Sequence, residues 1–162
     1  MKEHNLKNNI IFEELRINEI NSFSELVINV FDEFVGKDYS EEGNKTFKEF
    51  LEPGKILDRW NNKTSIIYAA KKEDDIVGIL EIKNKNHISL FFVKKDFHKL
   101  GIGKKLFYNY LNFLKQSNEG IEKITVNSSF YAEKIYSKLG FIRTDEIQEK
   151  NGIKYIPMEY RL

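Results

Sequence analysis

The sequence predicts a mixed α/β (α+β) fold, with helices packed on a mostly antiparallel sheet. Three observations predict it. Short apolar runs with strand character alternate with segments of helical spacing from Ile10 to the C-terminus. The runs "SIIYAA" and "DIVGILEI" are separated by the charged turn "KKEDD", which argues for an antiparallel hairpin. The last two runs, "FIRTDEIQ" and "IKYIPMEYRL", flank Asn151-Gly152, a strong hairpin-turn signal.

The elements follow in order. "IIFEELRI", Ile10 to Ile17, reads as a first strand. In "SFSELVINVFDEFVG", Ser22 and Glu25 have capping-box spacing, and Phe23, Leu26, Val27, Val30, Phe31 and Phe34 line one helix face that Gly36 ends. A second helix covers Glu41 to Leu51 and stops at Pro53-Gly54, and "KILDRWNNK" connects it to the hairpin. "NHISLFFV" is the most apolar strand, a run that usually means burial on both faces. A helix follows with Ile102, Leu106, Tyr110, Phe113 and Leu114 at helical spacing. "IEKITV" is the next strand, and "SSFYAEKIYSKLG" the next helix, with Ala132, Ile135, Tyr136 and Leu139 as its stripe. Gly140 sits where a left-handed C-terminal residue belongs. Pro157 places the final strand at an edge or a bulge.

A chain of 162 residues is most simply one domain. We read residues 10–162 as that domain, preceded by a flexible polar N-terminus over 1–9. The formal charge is +1, so no global field draws in nucleic acid or an anionic membrane. The absence of cysteine excludes disulfides, thiolate metal sites and a cysteine nucleophile. His4, His87 and His98 are too widely spaced to suggest a metal motif. No secretory apolar core and no spanning run occurs, which predicts a cytoplasmic protein.

The most informative stretch is "FHKLGIGKKL", where glycines and lysines meet at a strand-to-helix junction. A Walker loop is absent, and the dinucleotide fingerprint fails because its third glycine position is Leu106. A simpler phosphate site survives. Glycines admit close approach, and the first turn of a helix presents unbonded amides at the positive end of its dipole. On the residues alone, a bound phosphate or pyrophosphate and a glycine-eased tight turn both stay open.

From Val93 the chain reads "VKKDFHKLGIGKKL", which resembles motif A of the GCN5-related N-acetyltransferases (GNAT family). That motif is a strand ending in valine, a loop, then Q/R-x-x-G-x-G/A at a helix start. His98 stands where the family usually has glutamine or arginine, and Lys95 where proline is common. Downstream, "VNSSFYAEKIYSKLGF" resembles motif B. The resemblance covers roughly Asn9 to the C-terminus and is weakest before Ile66. It implies a central sheet of about seven strands, splayed between the fourth and fifth, and transfer of an acetyl group from acetyl-CoA to a primary amine.

The resemblance also implies the site. Backbone around His98, Lys99, Leu100, Gly101, Ile102, Gly103 and Lys104 would bind the cofactor pyrophosphate. The strand Phe91 to Val93 would pair with the pantetheine arm across the gap, and an amide near Phe91 or Phe92 would polarise the acetyl oxygen. Asn127 would hydrogen-bond the pantetheine and Tyr131 would contact the cofactor. Tyr136 matches the family tyrosine that protonates the leaving sulfur, and a phenol is neutral at pH 7 without a large shift.

For the base, Glu81 alternates with Val77 and Ile79 in a regular strand, and a carboxylate on a partly apolar face can relay a proton through water. His87 and a water chain stay open as alternatives. The acceptor is a small-molecule or peptide amine. Asp32, Glu33, Asp38, Glu41 and Glu42 would attract a cationic one, while Phe31, Phe34, Tyr39 and Trp60 would line an apolar pocket. Two other readings use the same fold: a non-catalytic acyl-CoA sensor and an interaction domain without cofactor. A homodimer through the final strand also stays open.

Overall fold

In the computed structural model, residues 9–162 are described, so the polar segment expected over 1–9 lies outside the described residues except for Asn9. The strands are β1 (Ile10–Glu14), β2 (Ser65–Lys72), β3 (Asp75–Lys83), β4 (His87–Val93), β5 (Lys123–Ser128), β6 (Ile142–Arg143), β7 (Gln148–Lys150) and β8 (Ile153–Arg161). The helices are α1 (Ile20–Phe34), α2 (Glu41–Phe50), α3 (Pro53–Asn61), α4 (Ile102–Ser117) and α5 (Glu133–Leu139).

The strands form one eight-stranded sheet in the order β1-β2-β3-β4-β5-β8-β6, with β7 beside β8, where about seven strands were expected. Every pairing is antiparallel except β4 with β5. One face packs on α4 and α5 through Leu80, Ile82, Ile88, Leu106, Phe107, Ile124 and Val126. The other packs on α1 and α3 through Phe23, Val27, Ile56, Ile67, Ile79 and Leu90. Each fully buried side chain of this size contributes roughly 1.5–3 kcal/mol.

Several elements depart from the sequence expectation, each for a physical reason. Helix α1 begins at Ile20, and the backbone N–H of Arg16 bonds Glu19 Oε2 at 2.8 Å just ahead of it, so Ser22 is a helical residue rather than a cap. "KILDRWNNK" is mostly the helix α3, because Pro53 occupies its first turn, where a missing N–H costs nothing. In α4 the buried stripe runs through Phe107 and Leu111, while Phe113 is exposed. In α5, Tyr136 and Leu139 are buried but Ile135 is exposed. Gly140 does end α5 in the left-handed conformation, at φ 105°.

The run "FIRTDEIQ" splits into β6 and β7, which pair with opposite ends of β8. Asn151 and Gly152 both have positive φ, as their two-residue turn requires. Strand β8 is therefore flanked by β5 on one side and, over parts of its length, by β6 and β7, rather than standing as a bare edge. Pro157 is accommodated between the short partners: its carbonyl takes the Thr144 N–H at 2.9 Å in the break between β6 and β7.

Two bulges shape the centre. Val77 is an extra residue opposite the Ala70–Lys71 step, so it faces α4 while Ile79 and Glu81 face α1 and α3. The expected Val77–Ile79–Glu81 alternation is thereby broken. Ser89 is the extra residue in β4, opposite the Glu81–Ile82 step. It puts Ile88 on one face of the sheet and Leu90 on the other, although their spacing would place them together. Among the described residues no helix is long and apolar enough to cross a membrane, and no group of His, Asp and Glu could hold a metal ion.

Candidate active site

The site grows from the bulge. Strands β4 and β5 pair only at His87–Thr125 and Ile88–Val126, and their ladder ends there. Beyond Ser89, β4 keeps its β3 partner but has lost β5. The Lys94 N–H points to β3, bonding Val77 O at 2.8 Å. By the two-residue period of a strand, the peptide groups of Phe91 and Val93 turn the other way, into the gap. Burial on both faces fails here as well: Ile88 and Leu90 are buried, but Phe91, Phe92 and Val93 are only half-buried. On the open edge, His98 Nε2–H donates to Val93 O at 2.7 Å.

The glycine loop lies at the mouth of this gap. Gly101 takes φ 82° at the start of α4, a left-handed conformation that suits glycine, and Lys99 is also left-handed at φ 61°. Among the described residues no acceptor takes the backbone N–H of Lys99, Leu100, Gly101, Ile102, Gly103 or Lys104. The first bond into α4 is Lys105 N–H to Gly101 O at 2.9 Å, and no side chain caps the helix. Six consecutive donors are thus left at the positive end of a sixteen-residue helix, with exposed Lys99 and Lys104 alongside. Gly103 has a different task. A Cβ there would stand 3.3 Å from the Phe91 ring, so this glycine lets α4 close onto β4.

On the far side of the gap, Asn127 is exposed at the end of β5, and its side chain has no hydrogen-bond partner among the described residues. Tyr131, 39% exposed, packs its ring 5.1 Å from Phe34, which lies equally close to His98. These three rings span the mouth from α5 to α1 to the glycine loop. Tyr136 lies deeper, 5% exposed, with its ring 6.0 Å from Phe91 and 5.3 Å from Phe141. Its hydroxyl has no protein partner, yet no buried side-chain oxygen or nitrogen among the described residues is unpartnered. The hydroxyl therefore reaches open space. Burial, and secondarily the phenol of Tyr39, push its pKa well above the ordinary value.

The two candidate bases lie elsewhere. Glu81 is 0% exposed, and Arg59 holds both its oxygens, Nε to Oε1 at 2.7 Å and Nη2 to Oε2 at 3.2 Å. Arg59 is itself fixed by Phe50 O at 2.8 Å and by the Phe50 ring at 4.0 Å. His87 stands at the sealed end of β4, its Nδ1 2.8 Å from Thr125 Oγ1. Burial first, then Lys83, lower its pKa.

Sequence reasoning missed Arg59 because α3 was read as a connection, although Pro53 followed by Ile56 and Leu57 carries a helix-start signal. It also gave no sign that Tyr39, placed after the turn Gly36–Asp38, packs with Phe47 as well as Phe31.

A profile of the acetyltransferase (GNAT) domain matches residues 35–162 of this chain. Among solved structures, a GCN5-related N-acetyltransferase from Rhodopseudomonas palustris aligns with a TM-score of 0.79 at 19% identity, over 94% of this chain and 96% of that one. The PaiA N-acetyltransferase of Thermoplasma acidophilum, solved in complex with coenzyme A, aligns with a TM-score of 0.79 at 19% identity, over 95% of this chain and 99% of that one. A GNAT-family acetyltransferase of Staphylococcus aureus Mu50 aligns at 0.74 and 17% identity, over 94% and 98%. At such identities these structures speak for the fold. No curated protein matches the chain. The profile covers most of the chain and the fold agrees with it, so the protein belongs to the GNAT acetyltransferase family.

Proposed function

We propose that residues 10–162 form one N-acetyltransferase domain that moves the acetyl group of acetyl-CoA to a primary amine by direct attack on the thioester. The observation that carries this reading is the meeting of six unpartnered amides with the unpaired edge of β4 at one mouth. The amides of Lys99 to Lys104 suit a pyrophosphate, and the Phe91 and Val93 peptide groups suit the amides of a pantetheine arm laid beside β4. The Thermoplasma relative, solved with coenzyme A, supports the same donor here. His98 would keep its bond to Val93 O, and Asn127 and Tyr131 would close the far wall.

In this reading the Phe91 N–H polarises the thioester carbonyl. The amine nitrogen forms a bond to the carbonyl carbon, and the carbon–sulfur bond breaks. The departing thiolate takes the proton of Tyr136, whose raised pKa keeps it protonated and able to donate. The amine gives up a proton to water, water returns one to the Tyr136 phenolate, and the products are an N-acetyl amide and the free thiol. Both oxygens of Glu81 are engaged by Arg59, so we give the amine proton to water and treat Glu81 as a positioning residue of β3.

The test is calorimetric titration of acetyl-CoA, followed by thiol release with a panel of primary amines. Binding with amine-dependent release supports the transferase. Binding without release from any amine supports the sensor reading, and absence of binding contradicts both.

A further inference from the structure

The side of the gap that faces α1 and α2 carries a second phenol. Tyr39 follows the turn Gly36–Asp38, and its ring meets Phe31 edge-on at 5.2 Å and Phe47 at 6.2 Å. Phe31, wholly buried, stacks on Phe47 at 4.0 Å and so fixes its position. Phe47 in turn lies 6.1 Å from the Phe92 ring of β4. Tyr39, Phe47 and Phe92 are each half-buried, so they form a wall with one face open rather than a closed core. Trp60, also a candidate for such a pocket, makes no ring contact with this group among the described residues.

Like Tyr136, Tyr39 has no hydrogen-bond partner for its hydroxyl among the described residues, where no buried side-chain oxygen or nitrogen is unpartnered. Both hydroxyls thus reach open space, and ring contacts run from one to the other: Tyr39 meets Phe47, Phe47 meets Phe92, and Phe91, next to Phe92 in β4, meets Tyr136. Tyr39 itself is pushed up to about 12, by burial first and then by Asp38, so it is a neutral hydrogen-bonding group and not a base.

The charges nearby point the same way. Asp32 is held by Lys48 at 2.8 Å and Glu33 by Lys95. Glu41 and Glu42 sit in the first turn of α2, where they offset its dipole. Most of the acids that would have attracted a polycation therefore already have a partner or a local role.

Resting on the transferase reading, we propose that Tyr39 is the acceptor-side partner of Tyr136, and that the wall of Tyr39, Phe47 and Phe92 selects primary amines carried on an aromatic or other apolar frame over polyamines. A neutral amine must aim its lone pair at the thioester carbon, which leaves its N–H groups in need of acceptors. The Tyr39 oxygen accepts one of them. The frame behind the nitrogen lies against Phe47 and Phe92, where ring edges and faces suit an aromatic group.

The experiment compares 2-phenylethylamine with spermidine by thiol release at saturating acetyl-CoA, using wild type, Tyr39→Phe and Phe47→Leu. The expected kcat/KM for 2-phenylethylamine exceeds that for spermidine by at least about 10-fold. Phe47→Leu should reduce the 2-phenylethylamine value about 10-fold, mainly through KM, and narrow its lead over spermidine. Tyr39→Phe should reduce it by a similar factor, and acetyl-CoA affinity should be unchanged in both variants. If Phe47→Leu fails to fold, the isosteric Tyr39→Phe alone decides. Equal or preferred use of spermidine overturns the selectivity, as does an unchanged ratio in folded Phe47→Leu, and an unchanged 2-phenylethylamine value in Tyr39→Phe overturns the role given to Tyr39. Release from no primary amine at all, with acetyl-CoA bound, removes the transferase reading itself and this proposal with it.

Discussion

The two ends of β4 differ in what lies beside them. At His87 and Ile88 the strand is sealed between β3 and β5, with a side-chain bond from His87 to Thr125 across the seam. At Phe91 and Val93 the same strand has β3 on one side and a gap on the other. The extra residue Ser89 separates the two regimes. Backbone ladder bonds run on both sides of the first end, whereas the second end has them on one side only, with Val93 O taken by His98. The contrast extends to side chains: Glu81 is buried with both oxygens bonded, whereas Tyr136 is nearly buried with a hydroxyl that has no hydrogen-bond partner among the described residues. In this fold, completed bonding accompanies the sealed seam and withheld bonding accompanies the candidate site.

Tyr136→Phe breaks that contrast most sharply. Removing the phenolic hydroxyl should lower kcat by about 10²- to 10⁴-fold in steady-state thiol release. Calorimetry should show unchanged acetyl-CoA affinity, because the ring remains. An unchanged kcat would remove Tyr136 as the acid.

Arg59→Met tests the bonded counterpart. It leaves the Glu81 carboxylate buried without its partner, which should cost about 3–5 kcal/mol in urea unfolding. Adding Glu81→Leu should recover much of that loss. A cost well below this range would mean that Glu81 leaves its pair easily, and would restore it as a candidate base.

The sealed end should be nearly silent in function. Thr125→Val removes the partner of His87 Nδ1 and should cost about 1 kcal/mol of stability. Acetyl-CoA affinity should not move, and a weakened affinity would mean that the seam shapes the gap.

These particulars also show how much of the molecule was legible beforehand. Gly101 was readable because a left-handed backbone at a helix start selects glycine. Gly103 stood out for the same pattern, but its contact with Phe91 depends on how α4 lies on β4. Ser89 carried no signal, since a bulge is set by pairing with a distant strand and any residue can occupy it. Phe107 and Phe113 are both apolar at helical spacing, so periodicity alone could not choose which one faces the sheet. Pro53 served both as a stop for α2 and as a start for α3, and missing the second meaning hid Arg59 behind Glu81. Tyr136 was singled out through motif B, whereas Tyr39 belongs to no motif.

The smallest effect expected is an absence. A phenol with a raised pKa stays protonated to higher pH, so Tyr136 should impose no falling limb below about pH 10. kcat/KM should rise as the acceptor amine loses its proton and then hold level. His87, with its pKa lowered, is already neutral at pH 7, so His87→Gln should leave the profile unchanged.

The most direct measurement is amide hydrogen exchange with and without saturating acetyl-CoA. The account predicts new protection at Lys99 to Lys104 and at Phe91 and Val93, with His87 and Ile88 unaffected. Exchange unchanged at the loop and along the open edge of β4, with acetyl-CoA demonstrably bound, would contradict it.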